Sequence, residues 1–159
     1  MKDKANNDFS RILDSLCPKM RVKLLRDIEY PFVSNKNGDW FDLVCAEDTM
    51  LEPNEYKAIP LGFSAELPKG YEALIVPRSS LFKNHGVLLA NSLGVIDESY
   101  CGDNDEWHFL AYATRLTKIE KGERIAQFRI IQHQPLILVT IVDELGNQDR
   151  KGIGSTGRF

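Results

Sequence analysis

The stretch that decides the fold is RIAQFRII, Arg124 to Ile131. Ala126, Phe128 and Ile130 alternate with Gln127 and Arg129, and a period of two sends the polar side chains to the face opposite the apolar ones. Such a segment is a β-strand with one face for a core and one face free to carry function. Runs of similar texture lie on either side of it: RVKLLR (21–26), WFDLVCA (40–46), YKAIPLGFSAEL (56–67), YEALIVP (71–77), GVLLAN (86–91), LGVID (93–97), EWHFLAYATRL (106–116) and LILVTIV (136–142). Gly, Pro and Asn punctuate these runs. Their spacing predicts an all-β fold, a jelly-roll-like distorted barrel, and not alternating βαβ units.

The two ends of the chain read differently. Phe9, Ile12, Leu13 and Leu16 recur at i, i+3, i+4 and i+7 with Asp8 as a cap, which predicts a short helix closed by Pro18. From Gly146 onward, Gly152, Gly154 and Gly157 accompany few apolar residues, which predicts a mobile tail. The expected organisation is a helical extension over 1–20, one β domain over 21–145 and a Gly-rich tail over 146–159.

With 159 residues, the chain fits one domain that buries roughly 70% of its unfolded surface. A formal net charge of −3 supplies no basic field for long-range binding to nucleic acid, so any phosphate must be held locally. Cys17, Cys45 and Cys101 are odd in number and widely spaced, which points to free thiols in a reducing compartment. A polar N-terminus and the lack of an apolar run near ~20 residues argue against a signal peptide or a membrane span. The expected location is cytoplasmic.

Four segments carry candidate chemistry. PRSSLFKNHG (77–86) places Arg78, Ser79 and Ser80 ahead of a helix-compatible stretch. A helix start offers unpaired N–H groups to an anion, and a guanidinium adds a charged fork; by itself the segment reads more readily as a capped surface helix with a solvated arginine. Asn91-Ser92-Leu93-Gly94 lies between two strand-like runs, and a hairpin there would present main-chain groups beside Asn91 to the edge of a flat heterocycle. The second run leads to Asp97 after two β-branched residues. That setting is expected to shield the carboxylate partly from water, and a carboxylate so placed can deprotonate a water or simply cap a turn. Tyr100 fits a site or a core. In KGERIAQF (121–128), Gln127 points outward as an amide able to donate to phosphate. The final DRKGIGSTGRF joins Arg150, Lys151 and Arg158 to glycines, which let backbone N–H groups approach phosphate closely, or else form a basic tail.

In this order the segments resemble the five motifs of the trimeric dUTPase family, over about Arg21 to Gly157. The matches are DWFDLVCA with Asp42-Leu43, PRSS, GVIDESYCG with Asn91 upstream, GERIAQ and GIGSTG. The pattern departs from the family's commonest one at Asp39-Trp40, where Ala-Gly is usual, at Ser80, where many members have Gly, and at Ile153, where an aromatic would stack on uracil.

The resemblance implies a homotrimer with active sites shared between subunits. The implied reaction is hydrolysis of dUTP to dUMP and pyrophosphate, keeping uracil out of DNA and supplying dUMP for thymidylate synthesis. Asp97 would activate the water that attacks the α-phosphorus. Arg78, Ser79, Ser80 and Gln127 would hold the triphosphate, and Asn91, Gly94, Val95 and Ile96 would read uracil. Tyr100 would pack on the deoxyribose, and Asp42 would support the water and metal network. Arg150, Ile153, Gly154, Ser155 and Thr156 would close over the nucleotide, with Lys151 or Arg158 as other γ-phosphate contacts. Mg²⁺ would be held mainly by phosphate oxygens and water, with no metal cage built from protein alone. Neither nucleic acid nor membrane is an expected partner. A dCTP deaminase of the same fold, alone or bifunctional, would use a glutamate such as Glu98. A nucleotide-controlled binding module is the reading from another class.

Overall fold

The computed structural model describes residues 17–34 and 38–149. The helix expected over Phe9 to Leu16 lies outside them. In chain order the strands are β1 (Arg21–Leu24), β2 (Phe32–Ser34), β3 (Phe41–Val44), β4 (Thr49–Leu51), β5 (Tyr56–Pro60), β6 (Phe63–Glu66), β7 (Tyr71–Pro77), β8 (Val87–Leu89), β9 (Gly94–Ile96), β10 (His108–Ala113), β11 (Thr117–Ile119) and β12 (Arg124–Gln132). A single helical turn, α1 (Leu81–His85), follows β7. The fold is all-β and jelly-roll-like.

RIAQFRII forms β12, the middle strand of a five-stranded sheet in the order β2-β3-β12-β7-β9. Ala126 and Phe128 are buried and Ile130 packs against the same core, while Gln127 and Arg129 are half-buried, as alternation requires. A register shift between Arg124 and Ala126 lets Ile125 and Ala126 be buried in succession and turns the start of the strand, the usual effect of a bulge. Next to it, YEALIVP alternates buried Ala73 and Ile75 with half-buried Leu74 and Val76, the composition of a strand covered on both faces. The second main layer is β5-β10-β8.

Between the layers Phe32 meets Phe41, Phe63 and Phe128 edge-on at 5.8, 5.7 and 5.6 Å, and Trp107 meets Phe63 and Phe128 at 4.9 and 5.4 Å. Each such pair contributes about 0.5–1.5 kcal/mol beyond the area it buries.

Three sequence readings change. YKAIPLGFSAEL is two strands, β5 and β6, because Gly62 turns the chain at φ +83°. A Cβ there would lie 2.4 Å from Ile28 Cδ1 and 2.9 Å from the Ala46 Cβ, so only glycine fits. The predicted hairpin around Asn91 is no ladder: β8 pairs with β10, and β9 with β7. Ser92, at φ +61°, carries the chain from one sheet to the other. LILVTIV forms no strand, and Leu136, Leu138, Val139 and Ile141 are 92%, 87%, 85% and 96% exposed. Its apolar pattern is real, but among the described residues it pairs with no strand.

Candidate active site

Two clusters of polar groups flank β7, one near each end. The first is built on β12, β3 and the residues after β7. Gln127 sits opposite Asp42 in the register of β12 and β3, and Arg78 N–H donates to the Ile125 carbonyl at 3.1 Å beside the bulge. Asp42 is 9% exposed. Its two oxygens meet two guanidinium groups, Arg78 Nε at 3.2 Å and Arg124 Nη1 at 3.1 Å. A nearly buried carboxylate is costly unless charge-paired; here the pairing also fixes both arginines in orientation. Within one chain, Asp42 thus aligns two cations.

A cavity of about 290 Å³ opens beside them, lined by Arg78, Ser80, Asn84, His85, Glu123 and Arg124. Ser79, between Arg78 and Ser80, is exposed. α1 spans five residues, too short for a helix dipole of weight, so the anion affinity of this corner rests on the arginines and not on a helix start. The turn is nonetheless firmly held. His85 Nε2–H donates to Glu123 at 2.6 Å, and Arg115 donates to the carbonyls of Lys83 and Asn84, both at 2.9 Å.

The second cluster surrounds a cavity of about 340 Å³ between the two main layers, lined by Asn91, Gly94, Val95, Ile96, Tyr100 and His108 among others. The crossing from β8 to β9 thus places the predicted base-reading residues in one concave site, although no hairpin forms. Gly94 is at the floor, where a Cβ would come within 3.0 Å of Ile75. Tyr100 donates its hydroxyl to the Glu106 carbonyl at 3.1 Å, which holds its ring at the cavity wall. Burial and the charges of Asp105 and Glu106 push its phenol pKa up, so it stays a donor at neutral pH.

Asp97 lies just past β9 and is exposed, in contrast to the shielding that the two preceding β-branched residues suggested. The strand ends at Ile96, and among the described residues the turn that follows is left open to solvent. Oδ1 accepts the Ser99 N–H at 2.8 Å and the Asp97 carbonyl accepts the Tyr100 N–H at 3.0 Å. Hydrogen bonds from the Ser99 side chain and main chain, then the charge of His133, hold the carboxyl below its usual pKa. The capping aspartate and the ionised acceptor are therefore the same residue. Glu98, in contrast, accepts the Gly70 N–H at 2.7 Å and faces His133 at 3.9 Å, away from the base cavity.

The two clusters do not meet in one chain. Ile96 pairs with Ala73, while Arg78 follows Pro77 at the other end of β7. Some five residues of strand separate them, about 17 Å at ~3.4 Å per residue. Arg150, Lys151, Ile153, Gly154, Ser155, Thr156 and Arg158 lie outside the described residues. Sequence reasoning missed Arg124, although it stands inside GERIAQ; its signal was charge beside a residue read only as a strand start. It also missed Glu106 and His108, hidden in EWHFLAYATRL, where the polar positions of a period-two run were the available clue.

A jelly-roll-like β fold that carries an arginine-lined anion corner and a separate small concave pocket beside an ionised aspartate defines a nucleotide-binding enzyme class. Residues 29–157 match the dUTPase family, and the chain belongs to that family. It is 53% identical over 139 residues to the SPbeta prophage-derived deoxyuridine 5'-triphosphate nucleotidohydrolase of Bacillus subtilis (strain 168), covering 87% of this chain and 98% of the relative. The fold is similar to the Staphylococcus bacteriophage 80alpha dUTPase with dUPNHPP, at TM-score 0.73 and 25% identity, covering 87% of this chain and 98% of that one. It is also similar to a mutant dUTPase from phage phi11 of S. aureus whose structure describes coordination of a structural Mg(II) ion, at TM-score 0.68 and 20% identity, with 80% and 98% covered.

Proposed function

We propose that this protein hydrolyses dUTP to dUMP and pyrophosphate, with Asp97 as the base and with each active centre assembled from more than one copy of the chain. The observation that carries the shared centre is the separation along β7. Asp97, next to Ile96 and its partner Ala73, stands about 17 Å from the Arg78–Asp42–Arg124 corner by strand rise, too far for the two to act on one α-phosphorus within a single chain. A neighbouring subunit that brings its own arginine corner to Asp97 removes the distance. The apolar arm Leu136–Val142, exposed in the single chain, supports the same reading, because an apolar pattern without a partner in its own chain is suited to another subunit. The homotrimer and the closing role of the tail over 146–159 belong to this proposal.

The chemistry follows from the groups. Uracil enters the cavity beside Asn91 and the β8–β9 crossing, and Tyr100 bounds the sugar. Oδ1 of Asp97 is held by Ser99 N–H, which leaves Oδ2 to accept a proton from water. That water attacks the α-phosphorus, the bond to the bridging oxygen breaks, and pyrophosphate leaves. Arg78, Arg124 and Gln127 stabilise the charge on the phosphates. Mg²⁺ is the implied cofactor. Its donors would be mainly phosphate oxygens and water. When bound, it supplies further neutralisation of phosphate charge.

The position of Glu98 on the Gly70 N–H supports hydrolysis over deamination of dCTP. The free thiols of Cys17, Cys45 and Cys101 support a reducing, cytoplasmic setting. Among the described residues no helix is long and apolar enough to cross a membrane.

Asp97→Asn tests the mechanism. It keeps the Ser99 contact and the shape of the turn but removes the base, so dUTP binding is retained and turnover falls by about 10²–10⁴. Turnover within threefold of the parent by pyrophosphate release would exclude Asp97 as the base.

A further inference from the structure

The cavity of the arginine corner has an acid in its wall. Glu123, next to Arg124 in the chain, lines it together with Arg78, Ser80, Asn84 and His85. A free carboxylate there would compete with phosphate, because both pair with the same guanidinium donors. The carboxylate is instead turned away from them. Oε1 accepts the His85 Nε2–H at 2.6 Å and Oε2 accepts the Glu120 N–H at 3.3 Å, while Arg78 and Arg124 both pair with Asp42. A carboxylate can only accept, so Nε2 carries the proton of this contact in the neutral and in the charged ring alike. His85 is itself fixed from three sides. Its Nδ1 meets Thr117 Oγ1 at 3.1 Å, and Arg115 holds the carbonyls of Lys83 and Asn84 just before it. Gly86, at φ +66°, ends the turn where a Cβ would come within 2.8 Å of Thr114 Oγ1. The histidine side chain is 14% exposed and the glutamate 35%, so a shielded donor on a fixed turn holds an acid that stands at the edge of the cavity.

We propose that His85 is a positioning residue: it holds the Glu123 carboxylate off Arg78 and Arg124, and so keeps their free nitrogens open to the triphosphate. The proposal rests on the dUTP reading above. Asp42 takes Nε of Arg78 and Nη1 of Arg124, and Arg78 Nη1 reaches the Arg124 carbonyl at 3.5 Å. Nη2 of both arginines remains for a ligand. Two guanidinium groups and the Asp42 carboxylate leave the corner with one positive charge; a Glu123 carboxylate that swung onto it would cancel that charge. The role exists only because the acid is there. Without the Glu123 charge His85 has nothing to restrain, and this separates a histidine that holds a charge from one that only supports α1.

The test measures kcat and KM for dUTP, and the rise in thermal midpoint with inorganic pyrophosphate, in the parent, His85→Phe, Glu123→Gln and the double variant. Phenylalanine fills the place of the ring but has no N–H. His85→Phe should raise KM for dUTP about tenfold, the scale of one charge-assisted hydrogen bond withheld from phosphate, with kcat little changed, and should lessen the stabilisation by pyrophosphate. Glu123→Gln alone should not raise KM. The double variant should return close to the parent KM, and so should His85→Gln, which keeps an N–H for Glu123. A purely structural role predicts the opposite: a double variant as impaired as His85→Phe, or a kcat that falls in step with the rise in KM. Either result, or an unmoved KM in His85→Phe, overturns the proposal. Should His85→Phe not fold, Thr117→Val frees the other edge of the ring and takes its place, with a rise in KM of about threefold that Glu123→Gln reverses; no rise, or a rise that persists, overturns the role. A folded parent that releases no pyrophosphate from dUTP overturns the dUTP reading, and the midpoints with pyrophosphate then decide by themselves whether His85 guards an anion site.

Discussion

Replacing Glu106 by Gln removes one charge from a group that joins three parts of the molecule. The Glu106 carboxylate is 13% exposed and its partner Arg26 36% exposed, with contacts at 2.6 and 3.0 Å and a further bond from Gly62 N–H. Breaking a fully buried pair costs about 3–5 kcal/mol, and water at the more open Arg26 end recovers part of that, so roughly 1–2 kcal/mol is expected here. For a chain of this length that is about 3–6 °C in thermal midpoint. The pH dependence has a definite sign. Burial pulls the Glu106 pKa up, but hydrogen bonds and charge from Arg26 with the Gly62 N–H outweigh it and hold the carboxyl below its usual value. A depressed folded pKa gives stability that is fully present above the unfolded value of about 4.3 and is lost as pH falls through the folded value. Thermal unfolding of parent and Glu106→Gln at neutral and acid pH should therefore show a gap at pH 7 that closes in acid. Equal midpoints at pH 7, or a gap that widens in acid, would refute the reasoning.

Two further outcomes follow from the same geometry. Arg124→Ala removes a side chain that is 49% exposed, so the fold should persist while KM for dUTP rises about tenfold, the loss of one charged hydrogen bond to phosphate; steady-state kinetics with a thermal melt checks both. Ile141→Asp alters a residue 96% exposed in the single chain and should leave the subunit fold intact. If a neighbour covers the arm, each buried site loses about 1.5–3 kcal/mol, and light scattering at low concentration should show subunits in place of the assembly.

The fold was largely legible because its main signal is local. The alternation of Ala126, Phe128 and Ile130 with Gln127 and Arg129 identifies the central strand without reference to any other residue. Which strand joins which sheet is not a local property. The turn chemistry around Asn91 to Gly94 suits a hairpin, yet the positive φ of Ser92 and the two separate ladders send β8 and β9 to different sheets. LILVTIV shows the same limit, since periodicity reports an apolar face and not which molecule covers it. Of the site, Arg78, Asp42 and Gln127 converge as their order along the chain implied, because cross-strand register places Asp42 opposite Gln127. Arg124 escaped notice because the bulge that turns it toward Asp42 leaves no mark in composition. The exposure of Asp97 was also illegible, since it depends on where β9 stops and on what lies beyond the chain.

The most direct test of the account mixes two inactive variants, Arg78→Ala and Asp97→Asn, by co-refolding them in equal amounts. If a centre takes its arginine corner from one subunit and its aspartate from another, each is intact with probability one half. About a quarter of the parent pyrophosphate release should then return for random mixing in a closed ring. Activity no higher than the mean of the two separate variants would contradict it, placing Arg78 and Asp97 of one chain in the same centre.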